Sequence, residues 1–142
     1  MNCVAVLLGP IAGEVMFKQE SVDGPILITG EIRNLTPGKK HGIGICTWGD
    51  VREVGERFNP LAKNHGAPGD SERKVGSLGN IEADAQGVAK FSIQDKLVTL
   101  AGDRNVIGRS FAIYENEDDL KSQPNGNAGD VIAAGVIGIA LF

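Results

Sequence analysis

Short runs in which apolar and polar residues alternate recur along the whole chain, and turn-forming residues separate them. This alternation is typical of half-buried β-strands, because successive side chains of a strand point to opposite faces of the sheet. A clear example is the segment 26–34, where Ile26, Ile28, Gly30 and Ile32 fall on one face. The pattern predicts eight strands, at residues 4–9, 14–20, 26–34, 41–48, 80–84, 87–95, 110–116 and 133–142.

Helical signals are nearly missing from the sequence. No long segment carries the apolar period of an amphipathic helix, and residues 117–121 are the one candidate for a short helical turn. Residues 85–87 predict a tight hairpin turn. Eight short strands predict an all-β sandwich or flattened barrel, in one domain spanning residues 1–142. We expect the long polar connections at 49–79 and 115–132 to be functional loops.

Composition and charge narrow the class of protein. The chain is 42% hydrophobic and 23% charged, which is typical of a globular domain. A net charge of −4, with 14 scattered basic residues, argues against a nucleic-acid partner or a membrane surface. No stretch approaches the roughly 20 apolar residues that span a bilayer, and the first ten residues lack a basic leader. We therefore expect a cytoplasmic protein with no membrane partner.

The residues taken alone predict no catalytic centre. Two cysteines, Cys3 and Cys46, are too few for a disulfide framework. Two histidines and two cysteines are also too few for a multi-ligand metal centre, unless carboxylates supply the other ligands. The glycines of residues 41–46 lack the third glycine and the helix of a nucleotide-binding motif. A loop histidine such as His65 is more often structural than a ligand, and the carboxylates at 115–119 fit a solvated turn as well as an acid–base pair.

Four stretches, taken together, resemble the Cu/Zn superoxide dismutases. They are HGIGICTWGD at 41–50, FNPLAKNHGAPGDSERKVGSLGNIEADAQG at 58–87, VIGRSFAIYENEDDL at 106–120 and GNAGDVIAAGVIGIA at 126–140. Their order matches the family, and the resemblance covers essentially the whole chain. It implies an eight-stranded Greek-key β-barrel, an immunoglobulin-like sandwich architecture with two long loops.

The same resemblance implies that most metal ligands of the family are replaced. The family's copper and zinc ligand positions correspond to Gly44, Cys46, Arg57, His65, Lys74, Ser77 and Tyr114. Only His65 is retained, and the arginine that guides substrate in the family corresponds to Val131. Glycine offers no donor, while Arg57 and Lys74 bring positive charge where a dication would bind. We therefore expect no metal, no cofactor and no enzymatic activity.

The two cations suggest a replacement for the metals. We expect Arg57 and Lys74 to pair with Asp118 or Asp70 and so to stabilise loops that metal orders in the family. His41 matches a family histidine that braces the backbone without binding metal.

A further set of residues resembles the family's dimer interface. Its members are Val4, Val6, Gly49, Asp50, Ile107, Gly108, Arg109, Val136, Gly138 and Ile139. The alternative interpretation is that these residues are turn glycines and barrel core. We favour a symmetric association, in which the protein acts as a homodimer, or as a heterodimer with an active dismutase or its copper chaperone. The alternative function is a superoxide dismutase-type oxidoreductase with residual copper binding through Cys46 and His65.

Overall fold

The computed structural model describes residues 1–141, in which eight strands and no helix are found. The strands are β1 (Asn2–Leu7), β2 (Ala12–Gln19), β3 (Ile26–Arg33), β4 (Lys40–Cys46), β5 (Ser77–Glu82), β6 (Ala89–Asp95), β7 (Ser110–Tyr114) and β8 (Val131–Ile139). Each of the eight predicted strands is confirmed, although Phe142, the predicted end of the last one, lies outside the described residues. Accordingly, no helix of the described part is long and apolar enough to cross a membrane.

The predicted helical turn at 117–121 is wrong, and side-chain hydrogen bonds explain why. The carboxylate of Asp118 accepts a hydrogen bond from the amide of Leu120 at 2.7 Å. Asp119 accepts from the amides of Lys121 and Ser122 at 2.9 Å and 2.8 Å. Such local bonds give the backbone an alternative to helix, and Leu120 adopts a positive φ of 68°.

All neighbouring strands are antiparallel, in the order β5-β4-β7-β8-β1-β2-β3-β6. The strands at the two ends of this order, β5 and β6, contact each other, so the sheet forms a nearly closed barrel. The connections β3–β4 and β6–β7 join strands that are not neighbours, which is the Greek-key arrangement. The predicted fold class is therefore confirmed.

The barrel interior is filled by the apolar face predicted for β3. Ile26, Ile28 and Ile32 are fully buried. At Gly30 the missing side chain leaves room for the ring of Phe91, which a Cβ at that position would overlap. Phe91 in turn stacks on Phe111, with 6.1 Å between ring centroids. Gly30 therefore allows the ring of Phe91 to pack against the backbone of β3.

Strand β4 is buried on both of its faces, which positions the candidate site. Its residues Ile43 and Ile45 belong to the barrel core. The alternate residue Cys46 belongs to a second buried cluster with Ala112 and Tyr114 of β7. This second cluster lies on the outer face of the barrel, because side chains alternate along a strand, and Val54 and Ala128 of the two long connections cover it.

Candidate functional site

The candidate site is a buried polar network on the outer face of β4 and β7. Its centre is Asp118, whose side chain is fully buried. Asp118 Oδ1 lies 2.8 Å from His65 Nε2, and Asp118 Oδ2 accepts a hydrogen bond from Arg57 Nη2 at 3.4 Å. His65 Nδ1 lies 2.8 Å from the hydroxyl of Ser77. Three of the predicted ligand positions (Arg57, His65 and Ser77) are thus joined through one carboxylate.

Arg57 occupies the space beside β4 that a larger residue at position 44 would need. A Cβ built on Gly44 would lie 2.7 Å from Arg57 Nε and 2.7 Å from the carbonyl oxygen of Gly76. Both contacts are closer than real Cβ atoms adopt. The guanidinium also lies over the ring of Tyr114, with Cζ 4.1 Å from the ring centroid. Three predicted positions, Gly44, Arg57 and Tyr114, therefore form one packed unit.

Cys46 is hydrogen-bonded to Tyr114, and its buried environment favours the protonated thiol. Its Sγ lies 3.2 Å from the Tyr114 hydroxyl, and either atom can be the donor. Burial raises the pKa of the Cys46 thiol, and burial also raises the pKa of Tyr114. Because the thiolate is the form that ligates metal, this environment disfavours Cys46 as a ligand at neutral pH.

The predicted ion pairs are confirmed for Arg57 and wrong for Lys74. Arg57 pairs with Asp118 as expected. The Lys74 ammonium instead donates to the carbonyl oxygen of Pro124 at 3.1 Å, and burial lowers the pKa of Lys74. Asp70 does not reach it because its carboxylate accepts from the amide of Ala67 at 2.9 Å, in a local turn.

Two polar residues that the sequence pattern does not single out complete the network. Asn80 of β5 donates to the carbonyl oxygen of Asp118 at 2.9 Å and accepts from the Asp118 amide at 2.7 Å. Gln123 makes the same reciprocal pair with the backbone of His65, at 2.8 Å in both directions. The one local sequence signal for this role was the amide side chain of Asn80 within a predicted strand. These pairs fix the two long connections to each other and to the barrel.

The remaining predicted positions lie at the edge of the network. His41 Nδ1 lies 2.7 Å from the backbone oxygen of Tyr114, so it braces β4 against β7 as predicted. Val131 is half-buried and packs against the cluster that contains Cys46 and Tyr114. The position predicted to match the family's substrate-guiding arginine therefore contributes apolar packing.

The residues at these positions do not fit copper or zinc. In residues 1–141, no three side chains of His, Cys, Asp or Glu are placed to share a metal ion. Both ring nitrogens of His65 are engaged, and the guanidinium of Arg57 is 3.4 Å from the carboxylate beside that histidine. A fixed cation at this distance opposes a second cation in the same place.

Three of the predicted interface residues are exposed apolar side chains on the face formed by β1 and β8. Val6, Val136 and Ile139 are 48%, 46% and 70% exposed. A shallow groove of about 420 Å³ follows this face and is lined by Val4, Val6, Leu8, Val51, Ala134, Gly135 and Val136. A Cβ at Gly49 would overlap the carbonyl oxygen of Gly108, so these two turns pack closely beneath the face.

Some of the predicted interface residues also serve the chain itself. Ile107 packs partly against the barrel core. The Arg109 guanidinium stacks on Phe58, 3.7 Å from its ring centroid, and donates to the carbonyl oxygen of Thr47 at 3.0 Å. The turn at 49–51 and the segment at 107–109 are therefore held in place by contacts inside the protein.

An eight-stranded Greek-key barrel with two long connections folded over β4 and β7 defines a protein of the superoxide dismutase type. The chain belongs to the Cu/Zn superoxide dismutase family: the family model described as copper/zinc superoxide dismutase matches residues 11–137.

Among similar proteins are fungal enzymes named superoxide dismutase [Cu-Zn]. The one from Yarrowia lipolytica is 42% identical over 151 residues, covering 98% of each chain. That of Cryptococcus neoformans var. grubii is 41% identical over 152 residues, covering 99% of each chain. That of Kluyveromyces lactis is 43% identical, covering 99% of this chain and 98% of its own.

These relatives correct the prediction that the chain is not an enzyme. They are named for an enzymatic activity and match nearly the whole chain at 41–43% identity. The prediction relied on seven ligand positions, whereas the similarity extends along the full length. Family membership therefore supports an enzyme class, and the prediction of a non-enzyme is wrong.

Proposed function

We propose that this protein acts by association, forming a homodimer through the exposed face of β1 and β8 and the adjoining turn at 49–51. The observation that carries the proposal is the apolar groove on this face, with Val6 and Val136 half exposed along it. Contiguous exposed apolar surface of this kind marks interaction sites in globular proteins.

The strand register separates this face from the core. Along β1, Cys3, Ala5 and Leu7 are buried in the barrel, while Val4 and Val6 alternate with them and point outward. The outward valines are therefore not needed to fill the interior. Hydrophobic residues placed outward on a strand gain their stabilisation only when a partner covers them.

Charge at the edge of the groove favours a second copy of the chain as the partner. Asp50 and Arg52 pair with each other at 2.8 Å, so the turn presents little net charge. A predominantly apolar, nearly neutral patch is self-complementary, as a two-fold interface requires. The alternative partner is a Cu/Zn superoxide dismutase or its copper chaperone, and the experiments below distinguish such a heterodimer from the homodimer.

A single-residue contrast tests the proposal. Val136→Asp places a carboxylate in the groove, whereas Val22→Asp makes the same change at a 70% exposed valine away from it. We expect the unmodified protein and Val22→Asp to sediment as dimers at micromolar concentration, and Val136→Asp as a monomer. A monomeric unmodified protein, or no difference between the two variants, would refute the homodimer.

Native mass spectrometry of a mixture with an authentic Cu/Zn superoxide dismutase separates the two partner classes. The homodimer proposal predicts the two homodimers with no mixed species. A mixed dimer that replaces the homodimer would assign the face to the heterodimer instead.

A second candidate function is superoxide dismutase-type copper chemistry with Cys46 and His65 as donors. The names of the relatives favour it. The contacts of the two residues oppose it, because Cys46 is bonded to Tyr114 and His65 to Ser77 and Asp118. Copper content of the purified protein, with dismutase activity before and after copper loading, tests this candidate. Stoichiometric copper that disappears in a Cys46→Ser variant would support it.

We also propose a cytoplasmic location. Its support is that both cysteines, Cys3 and Cys46, are free and buried thiols, which persist in a reducing compartment. Fractionation of cells with an antibody against the protein tests it, and recovery in a secreted or membrane fraction would contradict it.

A further inference from the structure

The side chain of Arg57 lies wholly inside the protein and has an unusual position. Arg57 follows β4 and forms an isolated bridge with Cys46 at the strand's end. Its side chain is 1% exposed. Its Nε has no hydrogen-bond partner in the described residues, so the contacts of this guanidinium are made by its two Nη atoms and its flat face.

The glycines of β4 provide the space for this guanidinium. At Gly44 a Cβ would lie 2.7 Å from Arg57 Nε, and at Gly42 a Cβ would lie 3.5 Å from Arg57 Nη2 and 3.2 Å from Asp118 Cβ. Real Cβ atoms do not tolerate the first distance. The carbonyl oxygen of Gly76 would also lie 2.7 Å from this Cβ, so glycine at 44 leaves room for both Arg57 and the neighbouring backbone.

The charge of Arg57 has a fixed counterpart. The Asp118 carboxylate is fully buried and is held by the amide of Leu120 and the ring of His65, at 2.7 Å and 2.8 Å. Its backbone is clamped by Asn80 on both sides. An unpaired buried carboxylate is strongly unfavourable, and Arg57 is the permanently charged group beside it.

The guanidinium connects segments that are far apart in sequence. Nη2 contacts Asp118 and Nη1 donates to the carbonyl oxygen of Asn125 at 3.4 Å, both in the connection before β8. Its face lies 4.1 Å from the centroid of Tyr114 on β7. One side chain from the first long connection thus reaches the second connection and the barrel wall.

We propose that Arg57 is a covalently attached internal cation, which holds the two long connections together in place of a bound metal ion. The inference goes beyond the proposed association, since it concerns what orders the loops rather than what the face binds. It follows that the Arg57–Asp118 pair, and not a bound metal ion, keeps residues 115–130 in a fixed conformation.

A double-mutant cycle tests the inference. Arg57→Met and Asp118→Asn each leave one buried partner uncompensated, so we expect each to lower the melting temperature by about 10 °C. The combination removes both charges and should lose clearly less than the sum. Additive losses, or single losses no larger than that of the exposed control Arg52→Met, would overturn the proposal.

Two further measurements keep the test decisive if Arg57→Met does not fold. Arg57→Lys retains the charge, so we expect it to lower the melting temperature by less than half as much as the more destabilising of Arg57→Met and Asp118→Asn. An equal or larger decrease would overturn the role of charge. In the unmodified protein, a strong chelator should shift the melting temperature by no more than about 1 °C. A drop of several degrees would identify a metal ion as the cation that orders the loops.

Discussion

The network around Asp118 and the face of β1 and β8 differ in whether their side chains have partners within the chain. In the network, the buried carboxylate of Asp118 joins Arg57 to His65, and His65 is hydrogen-bonded in turn to Ser77. On the face, Val6 and Val136 remain about half exposed along a groove. In the first region most polar groups bond to partners inside the chain, although Arg57 Nε has none in the described residues, whereas the second leaves apolar surface that only another molecule can cover.

This difference separates a region that the chain fills itself from a region that remains open to a partner. At Gly44 and Arg57, positions predicted to match family ligands, the space is filled by the Arg57 side chain. The face, in contrast, keeps outward valines that add nothing to the barrel core. The contrast supports the proposed association at the face and the proposed role of Arg57 in the network.

The largest effect is expected when the network is broken from one side. Asp118→Ala leaves the buried Arg57 charge without a partner, so the free energy of unfolding should fall by about 3–5 kcal/mol. Urea denaturation followed by circular dichroism measures it. Glu72→Ala, which breaks an exposed Lys63–Glu72 pair outside the proposed interface, serves as the control and should cost less than about 1 kcal/mol. Equal losses of unfolding free energy for the two variants would show that the buried pair contributes no more than an exposed pair.

The next effect concerns the face. Val136→Ala removes two methyl groups from each copy of a symmetric interface, so the dissociation free energy should fall by about 1–3 kcal/mol. Sedimentation velocity over a concentration series gives the dimer constant. Val22→Ala makes the same change outside the groove and should leave the constant unaltered; a comparable shift there would show that the face is not the interface.

A smaller effect is expected for the reactivity of the two cysteine thiols. Burial raises the pKa of Cys46 and of Cys3, so both should react with a disulfide reagent at pH 8 at least about 100-fold more slowly in the folded protein than in urea. Absorbance of the released thiolate follows the reaction. Rapid labelling of Cys46 in the folded protein would contradict its enclosed bond to Tyr114.

The smallest effect concerns the exposed turn at Asp119. Hydrogen bonds from Ser122 and from backbone amides lower the pKa of Asp119 to about 2. A lowered pKa stabilises the folded state above the carboxyl's ordinary value near 4, and this contribution is lost as pH falls towards 2. Proteolysis of the turn should therefore increase over that range. The variant Asp119→Asn should show no such step, and a step that persists in it would assign the titration elsewhere.

The strands were predictable from sequence because their alternation is local. The run Ile26, Ile28, Ile32 is buried as its period requires. The start of β5 at Ser77 was not predicted, since its pairing with Gly44 depends on a partner distant in sequence. The connection before β8 was also misjudged, because the carboxylates of Asp118 and Asp119 bond backbone amides and prevent the predicted helical turn.

The site was predictable only in part, for a similar reason. Opposite charges made the Arg57–Asp118 pair a reasonable expectation, and the structure confirms it. The same reasoning failed for Lys74, whose ammonium reaches a backbone carbonyl instead. The roles of Asn80 and Gln123 had no sequence signal of comparable strength, since amide side chains acquire partners only when distant loops are brought together.

Sedimentation equilibrium of the chelator-treated protein asks in one experiment whether the face of β1 and β8 associates and whether the network needs a metal ion. At micromolar concentration we expect a single species of twice the chain mass of 14.9 kDa, unchanged by the chelator. A species of 14.9 kDa at all concentrations, or a dimer that dissociates when metal is removed, would contradict it.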